Sequence, residues 1–368
     1  MYSVAFWPST GGCETSVGLI ASHLHDLGHT VTVLCQTPHD GEDPFPFRVV
    51  RDPVSADLAT LVRECDLVHL NAFHPRLFLQ ALLQRRKIVC TYRDLTMICP
   101  KGTKWKPEGP CLHPASPRAC LDCMHRSGTP ERTKLLFRPA IKSVLSRLID
   151  ANVCTSPFAF ERYPLAKKRM IYNAIDTSDF IPGEAGERTP PQIVFAGRLI
   201  PEKGAQVLIE ALRHARERGT EFRVAICGDG PYRPALESQV KDDALQPLVR
   251  FHRNLDRPDL IRVLQTSAVA VVPSVIDEPF GLTAIEAMSC GLPVVASDVG
   301  GLGRIVGEVG VTFSRGDAGE LAVALVDLLA DPELRAEMGR RCRRLAVQRY
   351  DVSDMVRRYE ALYTSLLD

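Results

Sequence analysis

The chain has 368 residues, of which 45% are hydrophobic and 24% charged, with a net charge of +1. That length favours two compact units over one core, and the near-neutral balance lacks the basic excess of phosphate-backbone binders, so no nucleic-acid partner is expected. No run approaches the roughly 18 apolar residues of a membrane span and the first residues carry no leader pattern, which points to a cytoplasmic protein.

Taken in chain order, YSVAFWP reads as a buried strand, STGGCE as a turn, and ETSVGLIASHLHDLG as a helix stopped by Gly28 before the strand HTVTVLC. This is a βαβ unit. Strand-like runs recur at PFRVV, DLVHL, KIVCTY, ANVCTS and RMIYN, separated by helical segments such as SADLATLVREC and RTKLLFRPAIKSVLSRLI. Residues 174–191 are rich in Pro, Gly and acids and read as a linker. The alternation restarts with QIVFAG, EFRVAICG, LVRFH, AVAVVP and LPVVAS as strands, and GAQVLIEALRHARERG, PALESQVKDD and PDLIRVLQTS as helices. From about Ala318 to Leu367 the pattern is helical. The expected architecture is therefore α/β: two Rossmann-like, doubly wound parallel-sheet units over residues 1–173 and 192–350, with a final helical segment at 351–368. Such sheets bind ligands at the carboxyl ends of their strands, so the expected site lies in an interdomain cleft lined by strand-to-helix loops.

Three loops carry the candidate chemistry. In STGGCE, Gly11 and Gly12 let backbone N–H groups approach an anion at a helix N-terminus, although a tight turn alone also explains them. The loop is not GxGxxG and no acid ends the next strand, which disfavours a dinucleotide. In GRLIPEKG, Arg198 offers a planar fork and Lys203 a point charge, a pairing suited to a pyrophosphate; solvated surface cations are the bland reading. In DEPFGLTAIEAMSCGLPVV, Glu278 and Glu286 flank a Pro-Phe-Gly turn. Paired carboxylates serve glycoside hydrolysis or grip sugar hydroxyls, while Thr283 and Glu286 also spell a capping box. The chain contains no Asp-x-Asp, so no catalytic metal is expected.

Cys35, Cys65, Cys90, Cys154, Cys227 and Cys290 sit singly in apolar runs and read as reduced core residues. Cys99, Cys111, Cys120 and Cys123 fall instead in a polar insertion at about 93–130. The Cys120/Cys123 spacing suits a structural zinc, with His113 and His125 as substitute ligands; disulfides, an iron–sulfur cluster or free thiols are the alternatives. In the helix that follows, Phe137, Ile141, Val144, Leu145 and Leu148 form one stripe with Arg132, Lys134, Arg138, Lys142 and Arg147 around it. The favoured reading is a core-facing helix.

Together GGCE, IYNAID, GRLIPEKG, GDGP, PSVIDEPFGLTAIEAMSCGLPVVAS and VGG resemble the GT-B fold, retaining glycosyltransferases of family 4, most densely over residues 190–315. The resemblance implies a nucleotide-sugar donor, here read as a UDP-sugar, and transfer of a hexose or N-acetylhexosamine to an acceptor hydroxyl with retained configuration. It implies that Arg198 and Lys203 bind the diphosphate, Glu286 the ribose and Glu278 the sugar, with Gly12 near the phosphate and Phe280, Gly281 and Leu282 lining the pocket. Acceptor candidates are Asn71, His74, Arg93 and Asp94. Acceptors on glycans, lipid carriers and natural products all fit, and lipid-linked acceptors imply peripheral contact with an inner membrane face through the basic-apolar helix. The family's last helix crosses back to the first unit, a role open to 351–368. Two positions depart from the family: Arg93 stands where a His is usual, either binding an anion or pairing with Asp94, and Ala174 stands where Gly is usual. Rival functions are a GT-B epimerase or phosphorylase, and a non-catalytic nucleotide-sugar-binding protein. The sequence does not fix the oligomeric state.

Overall fold

The computed structural model describes residues 1–9, 11–53, 55–106, 108–112, 116–127, 136–183 and 189–368. The centre of the linker, His113, Arg132 and Lys134 lie outside the described residues. The chain divides into two compact units: Met1–Thr103 with Pro114–Asp176 and Asp351–Asp368, and Lys104–His113 with Thr177–Tyr350.

In the first unit the strands are β1 Thr32–Cys35, β2 Arg48–Arg51, β3 Leu67–Leu70, β4 Lys87–Tyr92, β7 Ala151–Cys154 and β8 Lys168–Met170. All pair in parallel, as β1-β2 and β3-β4-β7-β8. The expected first strand is reduced to Tyr2, whose backbone bridges Leu34 and Leu70 and so joins the two ladders. Pairing ends there because the chain bends at Val4 and Ala5, and Phe6 N–H turns to the Thr37 hydroxyl at 2.9 Å. The helices are α1 Gly12–Asp26, α2 Ser55–Arg63, α3 Pro75–Leu83, α4 Pro117–Arg126, α5 Arg138–Leu145, α6 Pro157–Arg162 and α14 Val352–Leu367. Val17, Ile20, Ala21 and Leu24 line one face of α1 and share a core with Val352, Met355, Val356 and Tyr359 of α14. That spacing of three and four residues makes each helix one-sided.

The second unit is a six-stranded parallel sheet in the order β11-β10-β9-β12-β13-β14. Its strands are β9 Gln192–Ala196, β10 Arg223–Cys227, β11 Val249–His252, β12 Val269–Val272, β13 Val294–Ser297 and β14 Val311–Phe313. β12 and β13 are buried along their whole length, as expected of parallel strands covered on both faces. The helices are α7 Ala205–Glu217, α8 Arg233–Asp242, α9 Arg257–Gln265, α10 Leu282–Ser289, α11 Gly300–Val306, α12 Ala318–Ala330 and α13 Pro332–Arg349. A core of Ile193, Phe195, Leu208, Leu212, Val269, Leu321 and Leu325 joins β9 and β12 to α7 and α12. Each such side chain contributes about 1.5–3 kcal/mol on burial. A two-strand hairpin, β5 Trp105–Lys106 and β6 Gly109–Pro110, belongs to this unit although its sequence lies in the insertion.

This strand order reverses direction between β9 and β12. Parallel sheets open a crevice at such a switch point, beyond the carboxyl ends of the strands. The loops leaving those two strands are GRLIPEKG and PSVIDEPFG.

The stripe on and beside α5 departs from expectation. Phe137, Ile141, Val144 and Leu148 are 61%, 53%, 58% and 53% exposed, and of the predicted stripe only Leu145 packs toward the core. Lys142 is the buried residue instead, because its ammonium finds the Thr96 hydroxyl at 2.6 Å. A satisfied cation inward leaves the apolar side chains outward.

Candidate active site

The loop after β9 is shaped by a glycine. Gly204 has φ +76°, and a Cβ there would lie 1.7 Å from the Pro273 carbonyl oxygen, so this turn packs directly on the loop leaving β12. The Val275 N–H donates to the Glu202 carbonyl at 2.9 Å and ties the two loops again. Across this seam Lys203 Nζ donates to Glu278 Oε1 at 2.6 Å. The Ser274 hydroxyl donates to the same oxygen. Burial acts to raise the Glu278 carboxyl, but the Lys203 charge and hydrogen bond, the Ser274 hydroxyl and the Arg198 charge outweigh it and hold the group below the usual range. Glu278 is therefore an anion with one oxygen engaged twice. Arg198 is exposed beside it.

The backbone of Glu278 is fixed too. Its carbonyl accepts the Gly301 N–H at 2.7 Å, and a Cβ on Gly300, which has φ +54°, would lie 2.4 Å from that carbonyl oxygen. The VGG motif thus serves close packing against the acid loop. Asp277 is held by Arg315 at 2.7 Å.

α10 starts at Leu282, with Gly281 as N-cap at φ +118° and no side-chain cap. The capping-box reading of Thr283 and Glu286 is thereby replaced: both lie inside the helix. Glu286 is half-buried, and burial pushes its carboxyl up to about 7 against the opposing charge of Arg257. The Phe280 side chain is buried edge-on to Tyr350, with ring centroids 5.7 Å apart.

In the first unit the acceptor candidates occupy strand ends. Arg93, after β4, donates from Nε to Asn71 Oδ1 at 3.3 Å and from Nη1 to Asn173 Oδ1 at 2.5 Å. It does not pair with Asp94, whose carboxylate instead accepts the Thr96 N–H at 2.9 Å and closes a local turn. The Ser16 hydroxyl donates to Asn173 Oδ1 at 2.7 Å, linking Arg93 to the first turn of α1. Gly12 opens α1 without a side-chain cap. His74 caps α3: its Nδ1 accepts the Leu77 N–H at 3.0 Å, and burial lowers its pKa. Ala174 is buried and is not among the residues of positive φ, so the position does not need glycine.

The cysteine expectation is not supported. Among the described residues no group of three or more His, Cys, Asp or Glu side chains is placed to hold a metal ion. Cys120 and Cys123 lie one turn apart on α4, rather than on the tight knuckle that a zinc pair uses, and Cys111 belongs to the other unit from Cys99. Cys65, read as core, is half-buried.

The sequence motifs include Ser274, Asp277 and Gly301 without indicating a role for them, and they do not include Arg315. Ser274 could have been found as a small polar residue directly after the buried run AVAVVP, four positions before the acid; Arg315 carries no local signal.

Comparisons with known proteins fit this geometry. The glycosyl transferases group 1 model matches residues 177–345 and the glycosyltransferase family 4 model matches residues 10–179. Alr3699/HepE of Anabaena superposes with a TM-score of 0.76 over 99% of this chain and 98% of that one, at 21% identity. The fold is thus that of the GT-B glycosyltransferases. Glycogen synthase of Mycobacterium tuberculosis is 34% identical over 190 residues, covering 51% of this chain and 46% of that protein. The phosphatidylinositol N-acetylglucosaminyltransferase gpi3 subunit of Schizosaccharomyces pombe is 25% identical over 380 residues, covering 100% of this chain and 80% of that one. The chain spans about half the length of the first curated relatives it matches. The first half of the chain thus matches the family 4 model and the second half the group 1 model, which makes it similar to family 4 glycosyltransferases.

Proposed function

We propose that the protein transfers a hexose or N-acetylhexosamine from a UDP-sugar to an acceptor hydroxyl, with retention at the anomeric carbon. The observation that carries this reading is the Lys203–Glu278 pair, 2.6 Å across the two loops that flank the switch point, with Arg198 exposed beside it. A depressed carboxylate next to two cations suits a ligand that presents a diphosphate and sugar hydroxyls together. It suits hydrolysis poorly, since a glycosidase acid must hold its proton near neutrality.

In this reading Arg198 and Lys203 take the diphosphate and stabilise the charge that grows as it leaves. Glu278 accepts from donor-sugar hydroxyls through its less engaged oxygen, and Glu286 accepts from the ribose. Gly12, Gly281 and Leu282 border the phosphates and sugar. Asn71, His74, Arg93 and Asp94 form the acceptor side. The acceptor hydroxyl attacks on the face that the diphosphate leaves, and no side chain is assigned as a nucleophile. HepE, crystallised in complex with UDP and glucose, supports UDP over other nucleotides.

The acceptor is read as lipid-linked. Four outward apolar residues on and beside α5, with Arg147 exposed just after it, suit the boundary of an anionic membrane. No helix among the described residues is long and apolar enough to cross a membrane. Incubation with UDP-, GDP-, ADP- and dTDP-sugars and a lipid-linked acceptor panel, with proton NMR of the product, tests the proposal. An α-linked product from an α-linked UDP-sugar is expected; an inverted product overturns retention, and interconversion or phosphate-dependent cleavage without acceptor indicates an epimerase or phosphorylase.

A further inference from the structure

We propose that the insertion hairpin β5–β6 is a strap that positions the Glu278 loop, with Lys104 as its positioning residue; the idea rests on the reading that Glu278 and Lys203 hold the donor. Lys104 combines two unfavourable features. Its side chain is buried, with only 7% of the residue exposed, and its φ is +52°, a region that a non-glycine residue enters at a cost of about 1–2 kcal/mol. A buried ammonium also needs a partner. One partner is Asp277, whose Oδ2 lies 3.8 Å from Lys104 Nζ.

Asp277 is shared. Its Oδ1 takes Arg315 Nη2 at 2.7 Å, and Arg315 Nη1 donates to the Val275 carbonyl at 3.2 Å. One residue further on, Glu278 pairs with Lys203. Asp277 is thus gripped from two sides, by the hairpin and by the loop after β14, immediately before the acid assigned to the sugar. The hairpin itself is seated: Trp105 pairs with Pro110, the Cys111 N–H donates to the Lys104 carbonyl at 2.7 Å, and Trp105 packs against the main core of this unit.

The test uses the full chain with UDP-glucose as the probe, because Glu278 is assigned to the sugar. Lys104→Asn removes the charge with a residue that tolerates the left-handed region, and Lys104→Arg keeps it. UDP-glucose affinity by calorimetry is expected to fall about 3- to 10-fold in Lys104→Asn, in the range of one partly screened ion pair, with wild-type affinity restored to about 2-fold in Lys104→Arg. Asp277→Asn should weaken binding in the same direction, and the double variant should be no worse than Asp277→Asn alone. Wild-type affinity in Lys104→Asn overturns the strap, as does a loss matched by a lowered melting temperature that Lys104→Arg does not rescue. Glu278→Gln, measured in parallel, separates the two ideas. If it weakens binding while Lys104→Asn does not, the strap fails and the donor site stands; if Glu278→Gln binds as wild type, the donor-site reading fails and the strap with it.

Discussion

Glu286 makes the sharpest prediction, because its protonation couples stability to ligand affinity. Burial carries its carboxyl from 4.5 to about 7. By linkage this difference corresponds to about 3 kcal/mol between the two protonation states. The folded form binds the proton more tightly, so the stabilisation is fully present below pH 4.5 and is lost as pH rises through about 7. Ligand binding runs the opposite way. An ionised carboxylate accepts from both ribose hydroxyls, whereas the acid has one oxygen committed to a proton. UDP affinity should therefore rise through pH 7 and level off near pH 8, while the melting temperature falls over the lower part of that range. Glu286→Gln should abolish the rise and hold affinity near the low-pH value of the wild type, with a flatter melting profile. Calorimetric titrations and thermal melts at about half-unit steps of pH would show both. A Glu286→Gln variant that keeps the wild-type rise in affinity would refute the assignment.

Three further outcomes follow from the same geometry. Glu278→Gln leaves Lys203 and Ser274 without their anion, and hydrogen bonds to charged groups are worth about 1.5–3 kcal/mol, so turnover of the UDP-sugar should fall by about 10- to 100-fold; initial rates at saturating acceptor would measure it. Gly204→Ala forces a Cβ to 1.7 Å from the Pro273 carbonyl at φ +76°, which should destabilise the protein by about 3 kcal/mol or more in urea unfolding. Exchanging the exposed Phe137, just before α5, and Ile141 within it for Ser should release the protein from anionic vesicles in co-sedimentation without altering UDP affinity.

Much of the fold was legible because parallel strands in a doubly wound sheet must be apolar on both faces, and QIVFA, RVAIC and VVAS announce themselves. The first strand was overread: YSVAFWP is apolar enough, but the bend at Val4 and Ala5 is not written in periodicity. The α5 stripe failed for a different reason. Periodicity identifies a helix face and says nothing of which face turns inward, and here the Lys142–Thr96 hydrogen bond decided. The placement of Arg198, Lys203 and Glu278 on the loops leaving β9 and β12 was readable from the strand pattern, whereas Glu286 lies inside α10. The grip of Ser274, Arg315 and Gly301 on the acid loop depends on contacts between strand-end loops remote in sequence, which a local motif cannot display. The Cys120/Cys123 spacing is shared by zinc knuckles and by one turn of helix, and here it falls within α4.

The central claim is that the loops leaving β9 and β12 hold the diphosphate of a nucleotide sugar. Calorimetric titration of UDP into the full chain and into Arg198→Ala tests it most directly, since Arg198 is exposed and its removal leaves the Lys203–Glu278 pair in place. Wild-type binding in the micromolar range with a loss of about 10-fold or more in the variant is predicted, as for a lost charge-assisted contact. Equal UDP affinity in the two proteins, or no binding to either, would contradict it.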